Sequence, residues 1–222
     1  MVDLQGQAVA AILTRAPSAG GKTRLFESLG RHPDPELLRA LFLDTLDAAR
    51  ASRARCVVCF TPANAEAEMR ALAGDDVALL AQRGEDLGER MRCVFDDLLG
   101  AGASAVVLIG SDLPLLDPQV IDGALQVLSA RPGTIVLGPA RDGGYYLIGA
   151  TTTPSPLFDR MTWSHGDVLV QTERRAREAG LPTYQLAQTA DVDTMEGLDR
   201  VMAEPGPRGE RTRQAAARLG IR

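Results

Sequence analysis

The sequence predicts one α/β domain in which helices cover both faces of a mostly parallel sheet. Apolar runs of strand length alternate with segments that carry apolar residues at helical spacing, which is typical of βαβ units. The chain has 222 residues, of which 45% are hydrophobic, so it can bury a substantial core. We predict a three-layer domain over residues 1–204, followed by a tail over residues 205–222 that can form one helix.

Each element is predicted from a local signal. The most hydrophobic strand is Ala105–Ile109, Pro35 opens an amphipathic helix, and Asp86 is placed to cap another helix. The predicted strands are Ala8–Leu13, Cys56–Phe60, Val77–Ala81, Ala105–Ile109, Thr134–Leu137, Tyr145–Ile148 and Thr183–Leu186. The predicted helices begin near Lys22, Pro35, Ala65, Asp86, Pro118, Val168 and Thr194.

Composition excludes several classes of function. The net charge is −5 and the basic residues are scattered, so we expect no nucleic-acid partner. The N-terminal apolar run Ala8–Leu13 is too short for a signal peptide or a membrane span. Cys56 and Cys59 are three apart on a strand, so their thiols point to opposite faces and do not share a metal. We predict a cytoplasmic protein, a monomer or homodimer, without a membrane partner.

The loop after the first strand has the features of an anion site. Its two glycines, Gly20 and Gly21, let backbone N–H groups turn toward a phosphate, and a helix N-terminus follows. A solvated basic turn is the plain alternative. The residues predicted to bind phosphate here are Arg15, Gly20, Gly21, Lys22, Thr23 and Arg24.

A P-loop is a second interpretation of this loop. Gly21, Lys22 and Thr23 match the end of the P-loop pattern, and the strand that leads to Asp112 resembles its metal-binding partner. The first glycine of the pattern is replaced by Ala16, which removes the turn that wraps the phosphates. The later motifs are also unexplained by a P-loop.

Two acidic motifs are candidates for a metal site. Asp112 follows the central strand, where a carboxylate is well placed to bind Mg²⁺ or Mn²⁺, and Ser111 beside it is predicted to contact the nucleotide. Asp112 as a turn former is the alternative. Asp191 and Asp193 lie on one face of an extended segment, so Asp193 is either a second metal ligand or part of a helix cap.

A glycine-rich turn is the candidate acceptor site. Asp142, Gly143 and Gly144 predict a hairpin turn, and that turn with its neighbouring aromatic residues can also form the floor of a pocket. Trp163 either lines this pocket or fills the core beneath a loop. The residues predicted to bind the acceptor are Asp142, Gly143, Gly144, Tyr145, Trp163 and His165.

These motifs together resemble a bacterial family of glycosyltransferases encoded beside radical-SAM and selenium-related genes, within the nucleotide-diphosphosugar transferase superfamily. The resemblance implies a glycosyltransferase A-type sheet, and it implies nucleotide contacts at Gly84, Asp86 and Gly88. Arg15 stands where the family usually has Lys, and His165 where it usually has Thr. The matching stretches are Arg15 to Leu25, Gln82 to Met91, Gly110 to Pro114, Gly138 to Gly149, Trp163-Ser164 and Asp191 to Thr194.

More distantly, the chain is similar to phospholactate guanylyltransferases and molybdenum-cofactor nucleotidyltransferases. Nucleotidyl and glycosyl transfer both use a metal to neutralise a diphosphate leaving group. The basic side chains of Arg15, Lys22 and Arg24 favour a nucleoside triphosphate. We therefore predict transfer of a nucleoside monophosphate unit to a small acceptor with release of pyrophosphate, in which Lys22 and Asp112 are catalytic. The alternatives are a glycosyltransferase that uses a nucleotide sugar and a nucleotide-binding module without catalysis.

Overall fold

The computed structural model describes residues 3–163 and 166–221, and its strands form one seven-stranded sheet. In space the strands are ordered β3-β2-β1-β4-β6-β5-β7, where the labels follow the chain. Strand β6 is antiparallel to β4 and β5, whereas every other neighbouring pair is parallel. The strands are β1 Ala8–Arg15, β2 Arg55–Thr61, β3 Ala78–Ala81, β4 Ala105–Gly110, β5 Ile135–Pro139, β6 Tyr145–Ala150 and β7 Thr183–Gln185.

The helices begin close to their predicted positions. The side chain of Asp34 accepts a hydrogen bond from Leu37 N (2.9 Å) before Pro35, and Asp86 accepts one from Glu89 N (2.8 Å), which confirms the predicted cap. The four-residue helix α6 was not predicted, since it is too short to show a helical period. The helices are α1 Thr23–Ser28, α2 Pro35–Ala51, α3 Glu66–Ala73, α4 Leu87–Gly100, α5 Pro118–Ala130, α6 Ser155–Phe158, α7 Val168–Glu178, α8 Met195–Ala203 and α9 Glu210–Arg218.

The sheet is covered on both faces, which confirms the predicted three layers. On one face, Ile12 of β1 packs in a core built with α2, α3 and α5. On the other face, Ala11 packs in a core built with α4, α6 and α7. Cys56 belongs to the first core and Cys59 to the second, and both thiols are free. The two cysteines therefore point to opposite faces, as predicted.

Helix α9 lies within the segment predicted as a tail and packs on α2. Ala216 of α9 and Leu41 of α2 belong to one core cluster. The buried carboxylate of Asp44 on α2 accepts hydrogen bonds from Thr212 N (2.8 Å) and Thr212 Oγ1 (2.7 Å). These bonds and the apolar contact fix the end of the chain beside α1 and α2.

Strand direction brings several candidate residues to one edge of the sheet. The carboxyl ends of β1 and β4 lie at this edge, and so does the start of β6, because β6 runs antiparallel to β4. Arg15, Asp112 and Tyr145 stand at or just beyond these three strand ends. Open α/β sheets bind their ligands at this edge. No helix in the described part of the chain has the length and hydropathy needed to span a membrane.

Candidate active site

The backbone around Asp112 is held from two sides. Asp112 O accepts a hydrogen bond from Val192 N (3.0 Å), and Leu113 N donates to the buried hydroxyl of Thr45 on α2 (2.9 Å). The Asp112 carboxylate folds back over Gly110, where a Cβ atom would lie 2.6 Å from Asp112 Oδ1. Glycine at position 110 therefore leaves the space that this carboxylate occupies.

The side chain of Lys22 lies between two carboxylates. Lys22 is the N-cap residue of α1 in the left-handed conformation (φ 54°). Its Nζ contacts the carboxylate of Asp112 and lies 3.2 Å from Asp193 Oδ1. The side chains of Lys22 and Asp112 are only 19% and 14% exposed. Arg24 Nη1 is 3.6 Å from the other Asp193 oxygen. The first loop and both acidic motifs thus converge at one point.

Negative charge dominates this cluster. Burial on its own would lower the pKa of Lys22, but the carboxylates of Asp112, Asp193 and Asp191 outweigh burial and raise that pKa above its ordinary value. Burial and the charge of Asp112 raise the pKa of Asp191 to about 6, with a smaller contribution from Asp142 and opposition from Lys22. The site therefore holds Lys22 firmly in its charged form.

Asp193 is not the residue that caps the following helix. The N-cap of α8 is Thr194, whose hydroxyl accepts a hydrogen bond from Gly197 N (3.4 Å). The Asp193 carboxylate is instead directed at Lys22 and Arg24. The capping alternative therefore does not account for Asp193.

Two pockets of about 260 Å³ each meet at Lys22, Ser111 and Asp112. We call them the charged pocket and the apolar pocket. The charged pocket is lined by Thr14, Arg15, Gly20, Gly21, Lys22, Leu38, Leu41, Ser111, Asp112 and Asp193. The apolar pocket is lined by Leu13, Lys22, Leu87, Met91, Leu108, Ile109, Gly110, Ser111, Asp112, Tyr145, Tyr146, Leu147 and Ile148.

The wall of the apolar pocket beyond the shared residues carries no charge. Burial raises the pKa of the Tyr145 phenol, so it stays neutral, and its hydroxyl donates to Met91 Sδ (3.9 Å). Leu87 at the start of α4 remains 43% exposed although it is a large apolar residue. An uncharged group is therefore the ligand chemistry that fits this pocket.

The resemblance implies nucleotide contacts at Gly84, Asp86 and Gly88, and the structure gives each of them a role in local packing or capping. Asp86 caps α4, and a Cβ on Gly84 would lie 2.7 Å from Glu89 Cβ. A Cβ on Gly88 would lie 2.7 Å from the Trp163 ring. None of the three is among the described residues that line the two pockets. Their contact with a nucleotide stays a prediction.

The predicted acceptor residues do not all surround one cavity. Tyr145 lines the apolar pocket, whereas Trp163 packs beside Phe158 in the core under α4 (ring centroids 6.5 Å apart). The indole N–H of Trp163 is buried, with no hydrogen-bond partner among the described residues. His165 lies outside the described residues.

The turn at Asp142 is built by close backbone contacts. Gly144 N donates to Asp142 Oδ1 (2.9 Å), and Gly143 has a φ of 87°. A Cβ on Gly143 would lie 1.9 Å from Gly166 O, so this turn can only be packed against the approach to α7 with glycine at position 143. The negative charge of Asp142 contributes to the raised pKa of Asp191, so this turn lies near the acidic cluster.

Asp112 and Asp193 can supply only part of the ligand shell of a metal ion, so they suit an ion whose other ligands come from water and substrate. The described residues contain no group of three or more His, Cys, Asp or Glu side chains arranged to hold a metal. Asp112 and Asp193 nevertheless converge on one cation, the ammonium of Lys22. Mg²⁺ is commonly held by one or two carboxylates, with water and substrate phosphates as its other ligands. The donor set fits such an ion.

Some residues of the site were missed at the level of sequence. Leu87 and Met91 are four apart and share a face of α4, so their pairing could have been inferred from helical spacing. The cavity that they face could not. Thr45, which anchors Leu113, carries no sequence signal, because it is one buried hydroxyl in an ordinary amphipathic helix.

Residues 45–165 match the model of the family described as "Uncharacterized protein conserved in bacteria (DUF2064)". The chain belongs to the DUF2064 family. This DUF2064 chain is similar to a solved structure from Desulfovibrio desulfuricans, a protein provisionally named a nucleotide-diphospho-sugar transferase. The two are 30% identical over 97% of this chain and 96% of that chain, with a TM-score of 0.83.

More distant solved structures share the fold of this DUF2064 protein. One is CMP:2-keto-3-deoxy-manno-octonic acid synthetase complexed with CTP, at 16% identity over 89% of this chain and 98% of that chain, with a TM-score of 0.58. Another is Rv0371c from Mycobacterium tuberculosis in complex with manganese, at 22% identity over 90% and 100%, with a TM-score of 0.55. No curated protein matches the chain.

Proposed function

We propose that this protein is a metal-dependent nucleotidyltransferase, which transfers a nucleoside monophosphate unit from a nucleoside triphosphate to a small acceptor. The observation that carries the proposal is the meeting of two unlike pockets at Lys22 and Asp112. One pocket offers basic side chains and glycine backbone, and the other offers an uncharged apolar wall. A transferase needs such a pair, because its two substrates must meet at one reacting bond.

The charged pocket suits a polyphosphate. Arg15 and Lys22 supply positive charge to it, and Gly20 and Gly21 line it without side chains, although the N–H of Gly20 already donates to Pro17 O (3.1 Å). Asp112 and Asp193 would hold Mg²⁺ or Mn²⁺ together with phosphate oxygens. Such an ion supplies positive charge against a diphosphate leaving group. The fold shared with a manganese complex and with a CTP complex supports this choice of ligands.

The apolar pocket suits the body of the acceptor, with its nucleophilic oxygen toward Asp112. In the reaction, that oxygen forms a bond to the α-phosphorus of the triphosphate. The bond from the α-phosphorus to the oxygen that bridges it to the β-phosphorus breaks, and pyrophosphate leaves with the electron pair. The proton of the acceptor passes to solvent. Lys22 stabilises charge on the phosphates, and Tyr145, which lines the apolar pocket, orients the acceptor.

Glycosyl transfer from a nucleotide sugar is the second candidate. The observation that favours it is the name of the relative from Desulfovibrio desulfuricans, which is 30% identical to this chain. The family that the sequence resembles carries the same label, whereas the more distant resemblance to guanylyltransferases favours nucleotidyl transfer. Ligand binding in the charged pocket distinguishes the two candidate functions, because a triphosphate has one more phosphate to bind than a nucleotide sugar.

Calorimetric titration of nucleoside monophosphates and triphosphates, with Mg²⁺ present, tests the proposal. Lys22→Ala and Arg24→Ala should each weaken triphosphate binding by about 1.5–3 kcal/mol, the value of a charge-assisted hydrogen bond, and monophosphate binding much less. Arg53→Ala is the matched control, because its side chain is 92% exposed just before β2, at the opposite edge of the sheet. Equal losses for the two ligands would favour glycosyl transfer.

A thermal-shift screen of triphosphates and nucleotide sugars with Mg²⁺ and Mn²⁺ identifies the donor directly. A ligand present at about 100 times its Kd stabilises the folded state by about 2.7 kcal/mol. We expect triphosphates to raise Tm more than nucleotide sugars do. The reverse order would replace the first candidate with the second.

A further inference from the structure

The ammonium of Lys22 stands where a metal ion would have to bind. Its Nζ contacts Asp112 and is 3.2 Å from Asp193 Oδ1, so one cation already bridges the two carboxylates. All three side chains are mostly buried, with 14–28% of their surface exposed. The position between the two carboxylates is therefore occupied by a cation of the chain itself.

An ammonium and a divalent cation cannot occupy this position together. Mg²⁺ binds carboxylate oxygens at about 2.0–2.1 Å and repels a neighbouring ammonium, so its entry between Asp112 and Asp193 requires Nζ to leave. The departure of Nζ alone would leave the carboxylates of Asp112, Asp191 and Asp193 facing one another in a half-buried site. Free metal must therefore compete with a cation that is covalently part of the chain.

A triphosphate changes this competition. Lys22 lines the charged pocket beside Arg15, so phosphates bound there offer its ammonium a new partner. The same phosphates supply oxygen ligands for the divalent cation, which the two carboxylates lack. Movement of Nζ from the carboxylates to the phosphates and entry of the metal then stabilise each other.

We propose that Lys22 is the built-in counter-ion of the Asp112–Asp193 pair, which keeps free divalent cations out of the site and admits them together with a triphosphate. This inference rests on the proposed function, because it takes the charged pocket as the triphosphate site. Metal binding and triphosphate binding are then coupled through one side chain.

The test measures Mn²⁺ binding without any turnover, by electron paramagnetic resonance of the free ion and by calorimetry. The wild type should bind Mn²⁺ alone weakly, and Lys22→Met should bind it about tenfold more tightly or better, which corresponds to about 1.4 kcal/mol. Arg24→Met is the matched control, because it removes one positive charge that also lies near Asp193 (3.6 Å) but is 57% exposed. Its gain should stay below about threefold.

The second arm uses the preformed complex of Mn²⁺ with inorganic tripolyphosphate. This ligand has no nucleobase, so the result does not depend on which nucleotide the protein binds. The wild type should bind this complex at least about tenfold more tightly than Mn²⁺ alone, and Lys22→Met should lose most of that preference. Lys22→Gly repeats both measurements with a residue that suits the positive φ, so a folding defect of the Met variant does not decide the result.

Unchanged or weaker Mn²⁺ binding in both Lys22 variants overturns the inference, and so does an equal gain in Arg24→Met, which would show a net-charge effect only. A gain that persists when Asp112→Asn is added also overturns it, because the ion would then be bound elsewhere. If the Lys22 variants gain Mn²⁺ affinity but the wild type binds no triphosphate, the counter-ion role stands and the proposed function fails. If the wild type binds the triphosphate with metal and the variants show no gain, the proposed function stands alone.

Discussion

Asp44 belongs to helix α2, and Asp112 precedes Leu113, which is hydrogen-bonded to Thr45 of the same helix, yet the two carboxylates have different partners. Asp44 accepts two hydrogen bonds from Thr212 and pairs with Arg211, whose side chain is 48% exposed. Asp112 contacts Lys22, and the same ammonium also serves Asp193. Asp112 lines both the charged pocket and the apolar pocket, whereas Asp44 lines neither.

The difference separates a structural carboxylate from a binding carboxylate. The hydrogen bonds and the ion pair of the Asp44 carboxylate are made with other residues of the chain, so they stabilise the folded state. Around Asp112, several carboxylates surround the single ammonium of Lys22. The excess negative charge of this cluster can be neutralised by a bound cation. We expect substitutions to affect stability at Asp44 and ligand binding at Asp112.

The largest effect is expected at Asp44. Asp44→Ala leaves the N–H and hydroxyl of Thr212 without their partner in a buried position, so the free energy of unfolding should fall by about 3 kcal/mol. Urea denaturation measures this change. Asp47→Ala is the control, because this carboxylate also pairs with Arg211 but is 52% exposed, and it should cost less than about 1 kcal/mol. Equal losses would show that α9 is not anchored through Asp44.

Asp112→Asn should show the opposite profile. The affinity for a triphosphate with Mn²⁺ should fall about a hundredfold, or about 2.7 kcal/mol, because a charged oxygen ligand is lost. The free energy of unfolding should change by less than about 1 kcal/mol, since the lost contact with Lys22 is offset by weaker repulsion from Asp191. Calorimetry and urea denaturation measure the two quantities. The exposed Asp199→Asn is the charge control, and a comparable loss there would contradict the assignment.

Gly110→Ala sharpens the comparison without changing any charge. The added Cβ would lie 2.6 Å from Asp112 Oδ1, so the carboxylate must move. We expect triphosphate affinity with Mn²⁺ to fall about tenfold, or about 1.4 kcal/mol, and stability to fall by less than that. Unchanged affinity would show that the observed position of the carboxylate is not needed for binding. The matched control is Gly123→Ala on α5, where an added Cβ meets nothing within 4 Å.

Arg211→Ala should have the smallest effect. Its half-exposed guanidinium pairs with Asp44 and Asp47, and the hydrogen bonds from Thr212 to Asp44 remain. We expect a loss of about 0.5–1 kcal/mol in the free energy of unfolding, measured by urea denaturation. A loss as large as that of Asp44→Ala would mean that the ion pair, and not the hydrogen bonds, holds α9 on α2.

Much of the fold could be predicted from local patterns. The strand predicted at Ala105–Ile109 is β4, and the helix opened by Pro35 runs to Ala51. These predictions succeed because hydrophobic periodicity and capping are properties of a few neighbouring residues. The position of β6 between β4 and β5 could not be predicted in this way, since partner choice within a sheet depends on packing across the whole domain.

The same division holds for the candidate site. The sequence alone marks Asp112, because a carboxylate directly after the most hydrophobic strand stands out locally, and it marks Lys22 as part of a basic, glycine-rich loop. Only the tertiary structure brings these residues into contact: the ammonium of Lys22 reaches Asp112 across 90 residues and Asp193 across 171. Sequence patterns report which residue types are close along the chain, whereas charges interact through space. The ammonium lies between the carboxylates because the sheet brings the ends of β1 and β4 together and the Asp191–Asp193 segment is bonded beside them.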